Sequence, residues 1–212
     1  MSLAQISRAA RPECLAVMGA LHEGGDTVVL LGPDASDGAR FWTHVSAQPE
    51  MSDGAPDPLD RWSKRAIQPL AQGFGAAALF PSDGPPYPPF ISWALATGRC
   101  HLSPAGLLVH DTAGLMISFR GALRVPALLD IPKAPPNPCD SCAAQPCRAA
   151  CPVSALSTYH YDVPACQTHI RGADSAGCRA FGCAARRACP VSQRYDRAAE
   201  QSAFHMTAFL GE

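Results

Sequence analysis

The sequence lacks a long apolar run. None of its stretches approaches the ~18 consecutive apolar residues that a membrane-spanning helix needs. Residues 1–25 also lack an uninterrupted apolar segment followed by a small-residue cleavage site, which a secretory signal would have. These absences argue against a membrane protein and against a secreted one. We therefore expect a cytoplasmic protein without a membrane partner.

An excess of charge of one sign is also missing. The 17 lysines and arginines nearly balance the 18 aspartates and glutamates, which leaves a formal net charge of -1. A molecule with so little net charge exerts no general attraction on nucleic acid or on an anionic surface. Net charge alone therefore identifies no partner, and a nucleic-acid partner is not expected.

Cysteine is scarce in the first two thirds of the chain, where only Cys14 and Cys100 occur. The last third holds the other eight: Cys139, Cys142, Cys147, Cys151, Cys166, Cys178, Cys183 and Cys189. A proline-rich stretch, "DIPKAPPNPC", precedes them and predicts a connector, so the expected domains are residues 1–133 and 134–212. In a reducing cytoplasm, cysteines this dense favour metal binding over disulfides.

Residues 1–133 combine strand and helix patterns. The apolar runs at 27–31 and 76–80 predict strands, while Asp57 followed by Pro58 predicts the start of a helix. "ISWALATG" predicts a second helix that ends at Gly98, and the apolar runs on either side of "DTAG" predict a β-hairpin. This mixture predicts an α+β fold rather than a purely parallel sheet.

The cysteine-rich part contains an internal repeat, because "ACPVS" occurs at 150–154 and again at 188–192. A C-x4-C pair precedes each copy. In bacterial two-cluster ferredoxins, the cysteine before each proline binds the cluster that the other run holds. By that rule one 4Fe-4S cluster takes a first set, Cys139, Cys142, Cys147 and Cys189. The other takes a second set, Cys151, Cys166, Cys178 and Cys183.

The spacing leaves alternatives open. The runs are C-x2-C-x4-C-x3-C-P and C-x11-C-x4-C-x5-C-P, both longer than the usual ferredoxin run. Zinc remains an alternative, although structural zinc favours paired C-x2-C knuckles and only Cys139 with Cys142 forms one. Free or disulfide-bonded thiols are a further alternative. Seven arginines accompany the cysteines, and we favour offsetting of cluster charge over a nucleic-acid patch as their role. They are Arg148, Arg171, Arg179, Arg186, Arg187, Arg194 and Arg197.

These motifs resemble known families. "CDSC", "ACPVSAL", the isolated Cys166 and "CPVSQRY" are similar to the two-cluster module of epoxyqueuosine reductase and of cobalamin-dependent reductive dehalogenases. "TVVLLGP", "DPLDRW" and "SPAGLLVHDTAGLMISFRGAL" resemble the cblC-type cobalamin-processing protein. The resemblance implies a nitroreductase-like α+β domain, which would bind a corrinoid or a flavin, followed by a small two-cluster ferredoxin-like domain.

The resemblance also implies a function. The two 4Fe-4S clusters would feed electrons to a corrinoid, cobalamin, or to a flavin, making the chain a cobalamin-dependent oxidoreductase or a reductive cobalamin-processing protein. We expect small residues of "SPAG" to let such a macrocycle approach the backbone. They are Ser103, Pro104, Ala105 and Gly106. Alternatively, "SPAG" is only a turn that precedes a core strand. No residue matches the catalytic acid of epoxyqueuosine reductase. The alternative is a non-catalytic electron carrier whose partner is a redox protein or a small-molecule reductant.

Overall fold

A computed structural model describes residues 1–34, 38–173, 175 and 177–212 of the chain. These residues form a mixed α+β structure, as the sequence patterns predict. The strands are β1 (Leu15–Glu23), β2 (Asp26–Pro33), β3 (Ala77–Leu79), β4 (Cys100–Leu102), β5 (Leu108–His110) and β6 (Gly121–Val125). The helices are α1 (Leu3–Ala10), α2 (Gly38–Ser46), α3 (Pro58–Gly73), α4 (Phe90–Ala96), α5 (Val163–Arg171), α6 (Cys178–Phe181), α7 (Ala184–Ala188), α8 (Pro190–Tyr195) and α9 (Ala199–Leu210).

The chain divides into two compact units. Unit 1 comprises Met1–Arg99 and Ser118–Pro135, and unit 2 comprises Cys100–Ile117 and Pro136–Glu212. The boundary expected between residues 133 and 134 lies close to the change of unit after Pro135. Unit 2, however, also includes Cys100–Ile117, which the sequence patterns place in the first domain. None of the described helices combines the length and the apolar content that a bilayer crossing requires.

Unit 1 is built on an antiparallel sheet with the strand order β1-β2-β6-β3. A Gly24-Gly25 turn joins β1 to β2, and the positive φ of Gly24, 63°, suits glycine in a tight hairpin. The inner strand β2 contains an uninterrupted apolar run, Val28, Val29, Leu30 and Leu31, and all four residues are fully buried. The core of unit 1 therefore lies around β2.

Helix α3 begins where the sequence predicts, with Pro58 at its first position and Asp57 as the preceding residue. Its buried face includes Leu59, Trp62 and Ile67, which recur at helical spacing. The edge of the Trp62 indole packs against the Phe41 ring of α2, with 5.5 Å between the ring centroids. Helix α3 therefore packs into unit 1 through the Trp62–Phe41 aromatic pair and through the aliphatic side chains of Leu59 and Ile67.

Most strand and helix predictions for residues 1–133 are confirmed. Segment 27–31 lies within β2, segment 76–80 contains β3, and α4 stops before Gly98, whose φ is 69°. The predicted β-hairpin around "DTAG" is reduced to one antiparallel bridge between His110 and Gly114. The rest of it is wrong, because β5 pairs with β4 whereas β6 pairs with β2 and β3. The local apolar pattern identifies extended segments but not their partners, and here the partners are distant in sequence.

Unit 2 contains little extended structure. Strands β4 and β5 form a two-stranded sheet, with Cys100 opposite His110 and Leu102 opposite Leu108. Five short helices follow, α5 to α9, of which α9 is the longest with 12 residues. Two of its buried cores include cysteines, one near β5 and the other under α9. The thiols of unit 2 are therefore part of its packing.

Candidate metal centres

The four cysteines of the first set line a single cavity of about 180 Å³. Cys147 and Cys189 are buried and pack in one apolar core with Ala105, Val109 and Leu115. Cys139 packs against the same core and is partly buried. Val109 and Leu115 also line the cavity, together with polar residues such as Ser103 and Arg194. The structure thus brings together the four residues that the repeat assigns to one cluster.

Local turns position these thiols. The Cys139 amide donates to the Asn137 side chain at 3.0 Å, and the Cys142 amide donates to the Cys139 carbonyl at 3.1 Å. Cys147 lies in a 3-10 helix, Pro146–Arg148, that a left-handed Gln145 (φ 39°) precedes. Cys189 is the N-cap residue of α8, whose first residue is Pro190. The proline thus begins a helix immediately after the thiol.

Burial keeps two thiols of the first set, those of Cys139 and Cys147, protonated when no metal is bound. Desolvation raises the pKa of Cys139 to about 11, and the nearby thiols of Cys147 and Cys189 add to the effect. Burial likewise raises the pKa of Cys147. A metal must therefore displace protons here, because only thiolates are strong metal ligands.

The second set is gathered around Cys166 of α5. Burial raises the pKa of the Cys166 thiol, and the thiols of Cys183, Cys151 and Cys178 raise it further by electrostatic repulsion. Cys178 begins α6, and Cys183 immediately precedes α7. Cys166 and Cys178 also share an apolar core with Ile170, Leu210 and Phe209. The structure therefore groups these four cysteines as the repeat assigns them.

Two hydrogen bonds reach sulfur atoms of the second set. The Ala155 amide donates to Cys151 Sγ at 3.2 Å, and the Tyr161 hydroxyl donates to Cys166 Sγ at 3.4 Å. Burial, reinforced by this contact with Cys166, raises the pKa of Tyr161 above its ordinary value. The phenol therefore keeps its proton and remains a donor. Tyr161 is absent from the sequence prediction, because the spacing rules used there concern the sulfur ligands alone.

The two copies of "ACPVS" have different conformations. In the second copy Val191 and Ser192 are buried within α8, and Ser192 Oγ accepts a hydrogen bond of 2.8 Å from the Leu115 amide. In the first copy Ser154 is exposed in a turn, with a left-handed φ of 52°. Tertiary contacts, rather than the five shared residues, decide between helix and turn.

The segment Ser103 to Gly106, which the resemblance associates with a corrinoid, lies in unit 2. Ser103 and Pro104 line the cavity of the first set, and Ala105 is buried beside Cys147 and Cys189. Gly106 is indeed closely approached, but by the Ser157 carbonyl oxygen, which lies 2.3 Å from the position that a Cβ would take. Thr158 Oγ1 also donates to the Pro104 carbonyl at 3.0 Å. The partner of this backbone is another loop of unit 2.

Replacing Gly106 with alanine should destabilise unit 2. Gly106 and Gly211 both have a φ of 73°, which is a left-handed backbone conformation. Alanine in this conformation should lower the free energy of unfolding by about 1–2 kcal/mol at either position. Only at Gly106 must the loop containing Ser157 also move, which costs about 1–3 kcal/mol more. We expect thermal unfolding to show the larger loss for Gly106→Ala, with Gly211→Ala as the matched control. Equal losses would contradict the packing described here.

Three of the seven arginines lie close to the thiol sets. Arg194 lines the cavity of the first set, Arg186 donates to the Leu115 carbonyl, and Arg187 donates to the Gly182 carbonyl at 3.0 Å. Arg179 forms an ion pair of 2.6 Å with Glu212. Since guanidinium groups are always charged in proteins, these arginines supply positive charge, which suits the charge-offsetting role.

Within the described ranges, no group of three or more histidine, cysteine, aspartate or glutamate side chains surrounds a single metal-ion position. A zinc ion would need four ligand atoms within about 2.0–2.3 Å of one point. The sulfurs that hold a 4Fe-4S cubane are instead spread around an inorganic cluster. The eight cysteines of the repeat, all in the described part of the chain, form no disulfide.

Comparison with known proteins gives no relative for this chain. No protein-family model matches it, no curated protein matches it, and no solved structure matches it. The function must therefore be argued from the arrangement of the chain's own residues.

Proposed function

We propose that this chain is an iron-sulfur redox protein whose unit 2 holds two 4Fe-4S clusters. One observation carries the proposal: the eight cysteines of the repeat fall into two groups of four in space. These groups are the two ligand sets that the cross-ligation rule of two-cluster ferredoxins predicts. A set of buried thiols with another function would not need to follow that rule.

The donor groups suit iron-sulfur chemistry. Each set offers four soft thiol ligands, the number that holds a cubane. The first set surrounds a cavity of about 180 Å³ that Val109 and Leu115 also line, and Arg194 supplies positive charge there. A bound cluster would accept and release one electron at a time, at a potential set by hydrogen bonds to its sulfurs and by its exposure.

Short segments join the two sets, which supports an electron-transfer role. Cys147 and Cys151 are four residues apart in the sequence, so their Cα atoms cannot be more than about 14 Å apart. Cys183 and Cys189 flank α7, a helix of five residues. Two redox sites held so close together suit a protein that passes electrons through itself.

The residues assigned to a corrinoid do not fit one. The cavity beside Ser103 and Pro104 has about 180 Å³, whereas pockets for organic cofactors and drug-sized ligands have about 300–1,000 Å³. Cysteines of the first set also line it. We therefore propose an electron carrier that serves a redox partner protein or a small-molecule reductant. The ferredoxin-like module is retained in this proposal.

The family resemblance still predicts that unit 1 is nitroreductase-like and binds a corrinoid or a flavin elsewhere in that unit. If unit 1 binds such a cofactor, the protein would be a reductase and not only an electron carrier. A visible-spectrum titration of the purified protein with cobalamin and with flavin tests this prediction.

Protein purified without oxygen should be brown and should contain about eight iron and eight acid-labile sulfide atoms per chain, because each cubane has four of each. Metal analysis and visible absorption measure this directly. The Cys100→Ala variant, which lacks a buried thiol outside both sets, should retain the full iron content. Stoichiometric zinc without iron would overturn the proposal in favour of structural metal sites.

A further inference from the structure

We propose that Tyr161 is a positioning residue for the second cluster. Its hydroxyl donates a hydrogen bond to Cys166 Sγ and thereby makes reduction of that cluster more favourable. This inference rests on the proposed function, and it adds a residue outside both ligand sets.

Two further contacts hold Tyr161 in place. Its ring stacks on Phe209 of α9, with 6.2 Å between the ring centroids and 9° between the ring planes. Its backbone forms an antiparallel bridge with Leu156, which closes a short loop before α5. The hydroxyl therefore reaches Cys166 Sγ, 3.4 Å away, from a side chain that is fixed at its ring and at its backbone.

The neighbouring tyrosine shows that this arrangement is specific. Tyr159 lies in the same loop but is 95% exposed, whereas Tyr161 is 39% exposed. The loop thus carries two tyrosines, of which one faces a ligand sulfur and the other faces water. Tyr159 therefore offers a matched control for the loss of a phenol group.

The direction of the effect follows from charge. Reduction adds one negative charge to a cluster, and a donor on a ligand sulfur stabilises the more negative state more strongly. In the first set, burial raises the pKa of the Cys147 thiol, and the backbone amides of Cys147 and Ala105 oppose this by lowering it. Those donors remain when a side chain changes. Removal of the Tyr161 hydroxyl should therefore affect the second cluster alone.

The experiment compares Tyr161→Phe with Tyr159→Phe and with the wild-type protein, each with its iron content measured. Phenylalanine preserves the ring that stacks on Phe209. In a redox titration followed by electron paramagnetic resonance, one of the two clusters of Tyr161→Phe should become about tenfold harder to reduce. That change corresponds to about 59 mV toward more negative potential for one electron. The other cluster, and both clusters of Tyr159→Phe, should not shift.

A second variant tests the same hydrogen bond without removing it. Site-specific 3-fluorotyrosine at position 161 is a stronger donor of nearly the same shape, so it should shift the same cluster toward more positive potential. Full iron content with unshifted potentials in both Tyr161 variants would overturn the inference and leave the proposed function intact. Loss of the second cluster from Tyr161→Phe would also overturn it, since the residue would then serve assembly. Absence of iron from the wild-type protein would instead overturn the proposed function.

Discussion

Replacing Cys189 with alanine should remove one cluster and spare the other, although Cys189 follows all four cysteines of the second set in the sequence. The structure places it with Cys147 and beside Cys139 in one core, on the wall of one cavity. Loss of its thiolate leaves the first cluster with three ligands. We expect iron to fall from about eight atoms per chain to about four, because each cubane holds four.

The complementary variant is Cys178→Ala, which should remove the second cluster and spare the first. Iron analysis gives the stoichiometry of each variant. Electron paramagnetic resonance of the reduced proteins should then show two different single-cluster spectra that add up to the wild-type spectrum. If Cys189→Ala and Cys178→Ala leave the same residual spectrum, both cysteines serve one cluster and the cross-ligated assignment is wrong. Cys100→Ala again provides the control for loss of a buried thiol.

Removal of the clusters with a chelator under reducing conditions should unfold unit 2 and leave unit 1 folded. Helices α5 to α9 have between 4 and 12 residues, and isolated helices shorter than about 12–15 residues are marginal in water. The core near β5 includes Cys147 and Cys189, so metal binding and packing share the same side chains. Unit 1 instead has a four-stranded sheet whose strand β2 contains the fully buried apolar residues Val28, Val29, Leu30 and Leu31.

Hydrogen exchange resolved by peptide measures this difference. Amides of α5 to α9 should exchange about a hundredfold faster or more after iron removal, since local unfolding exposes them. Amides of β2 and β6 should keep their protection. Reconstitution with iron and sulfide should restore the slow exchange in unit 2, which distinguishes metal loss from irreversible damage. Retained protection throughout unit 2 in the iron-free protein would show that its fold does not depend on the clusters.

Sequence patterns predicted much of unit 1 because its elements follow local rules. The continuous apolar run of β2 and the Asp57-Pro58 start of α3 each depend on a few neighbouring residues. Strand β1 was not predicted. Its pairing register with β2 shifts between Val17 and Gly19, and this irregularity breaks the alternation of buried and exposed side chains that identifies a regular strand. The "DTAG" turn is closed by a single bridge, and the predicted pairing beyond it is wrong because β6 pairs with β2, a segment far away in the chain.

The candidate metal centres also have one part that could be predicted from the sequence and one part that could not. Cysteine spacing and the two Cys-Pro pairs predict which thiols share a set, because chain connectivity restricts how eight ligands can surround two clusters. The cavity wall formed by Val109 and Leu115, and the hydroxyl of Tyr161, could not be predicted. These residues meet the thiols through tertiary packing. No spacing rule for metal ligands includes such neighbours.

The different conformations of the two "ACPVS" copies mean that the duplicated segment no longer has two equivalent halves. The second copy takes its helical form against Gly114 and Leu115, and a Cβ on Gly114 would lie 2.4 Å from the Ser192 amide nitrogen. A mutation at Gly114 therefore acts on the second copy directly, although more than seventy residues separate them. The two halves can accumulate substitutions independently, each constrained by its own neighbours, while both retain the same five residues.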